Sequence, residues 1–234
     1  MVYPSGPQVL VVDDHPSNRD SILEQLCALG VHGIAVANGR AALEAVSRQS
    51  VALVLMDCHM PDMDGYETTR RIRQREAALS FPRMPVIAVS AAADAWHLKR
   101  CMDSGMDSVL RKPLCPGELA ATLGLWLGWR MPALSSRRPG VAEPPSEAIS
   151  KLYKAALEED ARKLQEAFVQ GRMEDVARLA HRIRGAALMV HAHDMAQAAA
   201  WLEEMAGLAK EPAVVRAMQR LQKEIDHWIA IPRH

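Results

Sequence analysis

The sequence predicts an α/β doubly wound five-stranded parallel sheet followed by an all-α four-helix bundle. Three observations carry that prediction. Before residue 130, five short apolar runs alternate with helix-length segments. A stretch from Arg130 to Ser146 then holds four prolines, Pro132, Pro139, Pro144 and Pro145, with no apolar periodicity. Beyond it no strand signal remains. The expected division is therefore a sheet domain over residues 1–129, a linker over 130–146 and a bundle over 147–234. At roughly 100–200 residues per domain, a 234-residue chain has room for two small domains.

The runs in order are Gln8–Val12, Gly33–Val36, Ala52–Met56, Pro85–Val89 and Ser108–Leu110. Three are rich in β-branched residues and nearly continuous, which suits strands covered on both faces. The segments Ser17–Leu29, Arg40–Arg48, Gly65–Ala77 and Ala95–Ser104 are long enough for crossover helices, and right-handed crossovers give a doubly wound sheet. Prolines in the linker interrupt helix and remove backbone donors, so that stretch should be extended, spanning up to roughly 50 Å. After it, Ala148–Val169, Met173–Val190, Asp194–Ala206 and Pro212–Ile229 each read as an amphipathic helix, and short connections favour an antiparallel bundle.

Composition excludes several classes. The chain is 49% hydrophobic and 24% charged, with 28 basic and 28 acidic residues, which argues against disorder. Residues 1–130 hold 13 basic and 14 acidic side chains and residues 131–234 hold 15 and 14, so neither half has the basic excess of a nucleic-acid module. The longest nearly apolar run, Leu119 to Trp129, is too short for a membrane span of about 20 residues. The start of the chain lacks the basic and apolar blocks of a signal peptide. Cys27, Cys58, Cys101 and Cys115 form no CxxC pair, which favours reduced thiols in a cytoplasmic setting and argues against a zinc site.

The strand ends carry the chemistry. The first run ends in Asp13-Asp14, the third in Asp57 and the fourth in Ser90, and Lys112-Pro113 follows the fifth. Ligands of such sheets sit at the carboxyl ends of the strands, so three carboxylates, a hydroxyl and an ammonium meet at one edge. Three carboxylates this close repel unless a cation sits among them. Oxygen ligands favour a hard ion, and Mg²⁺ with retained waters is the best candidate.

The segments VLVVDDHPSNR, LVLMDCHMPDMDGYE, VIAVSA and VLRKP, in this order and at strand ends, resemble the receiver (response-regulator) domain from about Gln8 to Leu127. The resemblance implies a flavodoxin-like receiver fold with Asp57 as phosphoacceptor, attacking the phosphorus of a donor phosphohistidine to form an acyl phosphate. It implies that Asp14 ligates Mg²⁺ directly, that Asp13 acts mainly through water, and that Asp57 and the backbone carbonyl of His59 complete the protein ligands. Lys112 would neutralise phosphoryl oxygens opposite the metal, and Ser90 would hydrogen-bond the bound phosphoryl group. Receivers often carry Tyr or Phe three residues before the lysine; here that position is Val109, which fits a domain that only relays phosphate. The remaining residues have plainer readings. Asp64 caps the helix opening at Gly65, Asp62 borders a turn, Cys58 is a buried structural thiol, and Trp96 and His97 are surface residues. The pair His191 and His193 sits in a solvated loop.

In the second half, Val176, Ala180, Ile183, Ala187 and Val190 fall on one stripe of the helix Met173–Val190, the natural core face. His181 lies about 140° from the centre of that stripe, so it should be exposed. Its neighbours Ala177 and Gly185 leave the ring open, Arg178 and Arg184 can pair with phosphoryl oxygens, and Leu188 shares the face as an apolar contact for a partner. The segment AHRIRGAA resembles the motif of histidine phosphotransfer (HPt) domains, over roughly Ala148–Ile229, and implies that a ring nitrogen of His181 carries the phosphoryl group.

Receiver followed by HPt resembles the C-terminal part of BvgS/EvgS-type hybrid sensor histidine kinases. The implied function is a bacterial two-component phosphorelay module. Phosphate passes from an upstream histidine kinase domain to Asp57, then to His181, then to the receiver of a downstream response regulator. No ATP-binding glycine boxes are present, so the chain does not phosphorylate itself from ATP. Its expected place is the cytoplasm, including the cytoplasmic end of a membrane-anchored sensor kinase. Two rivals remain open at this point: a response regulator whose helical domain binds DNA, and one whose bundle is a protein-interaction output.

Overall fold

A computed structural model describes residues 7–91, 94–128, 147–190, 192–208 and 211–230, without the side chains of 147–152 and 211. The chain forms two compact units, Met1–Val141 and Ala142–His234. The linker expected over 130–146 lies outside the described residues, as does His191 of the expected histidine pair.

The first unit alternates strand and helix: β1 (Gln8–Val12), α1 (Pro16–Ala28), β2 (His32–Val36), α2 (Gly39–Arg48), β3 (Leu53–Asp57), α3 (Gly65–Leu79), β4 (Val86–Ser90), α4 (Ala95–Ser104), β5 (Ser108–Arg111) and α5 (Pro116–Leu127). The strands are all parallel in the order β2-β1-β3-β4-β5. The order reverses at β1, so β1 and β3 are neighbours and their carboxyl ends open beside one another. β3 and β4 are buried along their whole length, as continuous apolar runs require when helices cover both faces.

Local chemistry starts each helix where the site needs it. Pro16 and Pro116 open α1 and α5, where a missing N–H costs nothing. Asn38, Asp64 and Asp94 cap α2, α3 and α4, each accepting a backbone N–H from the first turn. The expected cap at Asp64 is present, with Oδ1 accepting from Glu67 N at 2.7 Å. Gly65 has no room for a side chain: a Cβ there would lie 2.1 Å from the Asp57 carbonyl oxygen. The loop after β3 is thus pressed against the strand it leaves. Asp62 takes the left-handed conformation at φ 64°, which aspartate tolerates better than most residues. The Lys112–Pro113 bond is cis.

The second unit consists of α6 (Glu147–Val169), α7 (Met173–Met189), α8 (His193–Gly207) and α9 (Glu211–Ala230). Its core is apolar and rich in alanine, with Leu157, Leu164, Val176, Ala180, Ile183, Ala196, Ala199, Leu202, Leu221 and Ile225 buried. Small side chains let the helices approach closely. α7 packs against both α6 and α8, and ion pairs reach from it to each: Arg182 to Asp160 on α6 at 3.0 Å, and Arg184 to Glu203 on α8 at 3.2 Å.

Candidate functional site

At the carboxyl edge of the sheet, the Lys112 ammonium stands between two acids. Its Nζ donates to Asp13 Oδ2 and to Asp57 Oδ2, both at 2.7 Å. These residues lie 99 and 55 positions from the lysine in the chain; the parallel sheet alone brings them together. Asp13 is only 1% exposed and Asp57 is buried. Asp13 Oδ1 also accepts the His15 backbone N–H at 2.9 Å and the Asn18 amide at 3.0 Å. Burial by itself would raise the Asp13 carboxyl, but hydrogen bonds from Lys112, His15 and Asn18 outweigh it and hold the group below the usual carboxylate range. Burial would likewise lower Lys112, and its two carboxylates more than reverse that, so it stays charged.

The other expected residues border the same edge. Asp57 Oδ1 accepts the His59 backbone N–H at 3.1 Å, which aims the carboxylate. Asp14 is partly exposed, and its Oδ1 meets His15 Nδ1 at 2.8 Å. Oxygens of Asp13 and Asp14 and a ring nitrogen of His15 lie within 4.8 Å of one another. Arg19 donates to the backbone carbonyls of Asp13 and Asp14, at 2.8 and 3.1 Å, and so fixes that turn. Ser90 is buried at the end of β4, and its carbonyl accepts the Lys112 N–H at 2.9 Å. Asn18 and Arg19 were missed at the sequence level; their place one turn into α1 was the available signal.

For α7 the structure corrects the single-helix reading. His181 is not exposed: it is 4% exposed, and Gly185, Arg184 and Leu188 are buried with it. The stripe Val176, Ala180, Ile183, Ala187 and Val190 is buried as expected, but helices flank α7 on more than that one face. The polar residues on the second covered side are matched rather than solvated. His181 Nδ1 meets Glu203 Oε1 at 2.9 Å, and Glu203 Oε2 forms an ion pair with Arg184 Nη1 at 3.2 Å without a hydrogen bond. A carboxylate only accepts, so the proton of this bond sits on Nδ1. Of the expected docking arginines, Arg178 alone is exposed, and it pairs with Asp175 at 2.7 Å. Glu203 is a further residue that sequence reasoning missed.

A second cluster lies directly behind Asp57. Cys58 and Cys101 are fully buried with their sulfurs 3.9 Å apart, and Cys101 Sγ is 3.6 Å from His97 Nε2. Cys58 is the buried thiol expected, and Trp96 is exposed at 68% as expected; His97 is not a surface residue but is 1% exposed, with Nδ1 2.7 Å from the Tyr66 hydroxyl. The hydrogen bond from Cys101 pulls the Cys58 thiol down to about 6 and pushes Cys101 up. His97 and Cys101 are four positions apart, a helical spacing that puts both on one face.

The response regulator receiver domain matches residues 9–124, and the Hpt domain matches residues 148–230. The virulence sensor protein BvgS of Bordetella bronchiseptica is 32% identical over 232 residues, covering 87% of this chain and 19% of that protein. The sensor histidine kinase RcsC of Salmonella typhi is 43% identical over 118 residues, 50% of this chain and 12% of that protein. The crystal structure of the receiver domain of the Pseudomonas aeruginosa sensor histidine kinase PA1611, with a magnesium ion coordinated in its active site cleft, is 37% identical, with a TM-score of 0.49; it covers 53% of this chain and 100% of that chain. The chain spans no more than 19% of the curated relatives named here.

Proposed function

From the premise that this chain belongs to the two-component phosphorelay proteins, a response regulator receiver domain followed by an Hpt domain, we propose that Asp57 and His181 are its two phosphate stations. The observation that supports this most directly is the single lysine held between two buried carboxylates at the sheet edge. In the first step an Asp57 oxygen attacks the phosphorus of a kinase phosphohistidine; an O–P bond forms as the N–P bond breaks. In the second, His181 Nε2 attacks the acyl phosphate, forming N–P and releasing the Asp57 carboxylate. Glu203 holds the Nδ1–H tautomer, which leaves the Nε2 lone pair as the nucleophile, and it stabilises the positive charge that develops on the ring. A third transfer to the receiver of a separate response regulator completes the relay.

The oxygen-only donor set fits Mg²⁺: Asp13, Asp14, Asp57 and the His59 carbonyl would hold it. When bound, it supplies positive charge for the phosphoryl oxygens in the transition state. Lys112 gives a second cation from this chain's own residues, and Ser90 offers a hydroxyl to the phosphoryl group. Because His181 is covered, transfer requires the neighbouring side chains to yield when a partner docks. The rival reading of a DNA-binding output has no support, since the helical unit is an Hpt domain. The site sits at the cytoplasmic end of a sensor kinase in this proposal; among the described residues no helix is long and apolar enough to cross a membrane.

The test is phosphate flow from a labelled kinase donor. Label should enter Asp57 first and His181 second, and Asp57→Asn should remove label from both. Undiminished transfer to a downstream regulator by a His181→Gln chain would instead make the bundle a scaffold.

A further inference from the structure

We propose that Cys58, Cys101 and His97 form a zinc site that ties the loop after Asp57 to α4. This stands apart from the phosphate chemistry, because none of the three is needed for it. The spacing is the first argument. Zinc bonds of about 2.3 Å to sulfur and about 2.0–2.1 Å to nitrogen place tetrahedral ligands about 3.8 Å apart for two sulfurs and about 3.6 Å apart for sulfur and nitrogen. The separations here are 3.9 Å between sulfurs and 3.6 Å between Cys101 Sγ and His97 Nε2, and all three ligand atoms lie within 4.8 Å of one another. A disulfide would need the sulfurs at about 2.05 Å.

The chemistry of the donors is the second argument. Two thiolates and an imidazole are a soft set that selects against Mg²⁺ and Ca²⁺. Two thiolate charges cancel a divalent ion, so the filled site carries no net charge into a core where Cys58 and Cys101 have no exposed surface. A monovalent soft ion would leave one negative charge there. The ring orientation is the third. His97 Nδ1 is engaged by the Tyr66 hydroxyl at 2.7 Å, which leaves Nε2 facing Cys101. Ligating histidines characteristically use the second nitrogen in such a bond. Arg100 lies 4.0 Å over the Tyr66 ring and fixes it. Three protein ligands leave the fourth position to a water.

Zinc affinity of the full chain, stripped with chelator and reduced, is measured by competition with a chromophoric chelator, with Co²⁺ as a spectroscopic probe. One zinc per chain should bind, and Co²⁺ should show thiolate charge-transfer absorption. Cys101→Ser should weaken binding by more than the about 10–100-fold that loss of an outer hydrogen-bond partner costs, and Tyr66→Phe should fall within that range. The double variant Cys27→Ser/Cys115→Ser should bind like the wild type. Zinc should also shield Cys58 and Cys101 of the wild-type chain from alkylation, mapped by mass spectrometry, a readout that holds even if Cys101→Ser fails to fold. Absence of stoichiometric binding, full affinity in a folded Cys101→Ser chain, or alkylation of the two cysteines unchanged by zinc would each overturn the site.

Discussion

Replacing Lys112 by Met keeps the length of the stem and removes the charge between Asp13 and Asp57. Each carboxylate oxygen is 2.7 Å from Nζ, so the two are no more than about 5.4 Å apart. Two like charges at that distance repel by ~3 kcal/mol at an effective dielectric constant near 20. Two charge-assisted hydrogen bonds vanish as well. The lysine side chain keeps some solvent contact, and one aspartate can take up a proton, so the net loss at neutral pH should be about 2–3 kcal/mol. For a unit of this size that lowers the melting temperature by ~10 °C. The sign with pH distinguishes the cause. In the variant the unscreened pair pushes one carboxyl upward, so its deficit should shrink as pH falls from 7 to 5. In the wild type, Asp13 is held low and no such gain appears. Millimolar Mg²⁺ should stabilise the variant more than the wild type, because it replaces the missing cation. Thermal denaturation followed by circular dichroism at the two pH values, with and without Mg²⁺, measures all three quantities. A Lys112→Met curve that overlays the wild type at pH 7 would show that the carboxylates do not share a cavity, and the reasoning would fail.

Three further outcomes follow from the geometry. Glu203→Gln removes the anion opposite His181 Nδ1 and should slow label transfer to His181 by ~10–100-fold while Asp57 labels normally, as single-turnover assays would show. Gly65→Ala drives a Cβ into the backbone of Asp57, which no side-chain rotation relieves; urea denaturation should report a loss of about 2–4 kcal/mol, with slower uptake at Asp57. Asp13 is depressed in the folded state, so its stabilisation is present above its unfolded value of about 3.9 and disappears as pH falls through the lower folded value. Asp13→Asn should therefore show a flatter loss of stability below about pH 4 than the wild type.

The sheet was legible because its signals are local and mutually consistent. Continuous apolar runs such as Val9–Val12 and Leu53–Met56 suit burial on both faces, and each is followed by the polar residue that marks the rim. Parallel pairing then brings Asp13, Asp57 and Lys112 together without further information. What failed depends on a neighbour's side chain. A helical wheel ranks the faces of α7 by their own apolarity and cannot register that Glu203, on another helix, makes burial of His181 acceptable. The same blindness hid His97: on α4 it reads as a polar surface residue until Tyr66 and Cys58 arrive from elsewhere. Cys58 and Cys101 lack the close spacing that announces a metal site, because the third dimension supplies what the chain separates by 43 residues.

α7 turns outward at Glu174, Arg178 and Arg182, one acid and two bases four residues apart, while the ring that would take up phosphate is buried beside them. Glu174 and Arg178 can therefore be exchanged without repacking the core around the ring, whereas Arg182 answers the buried Asp160.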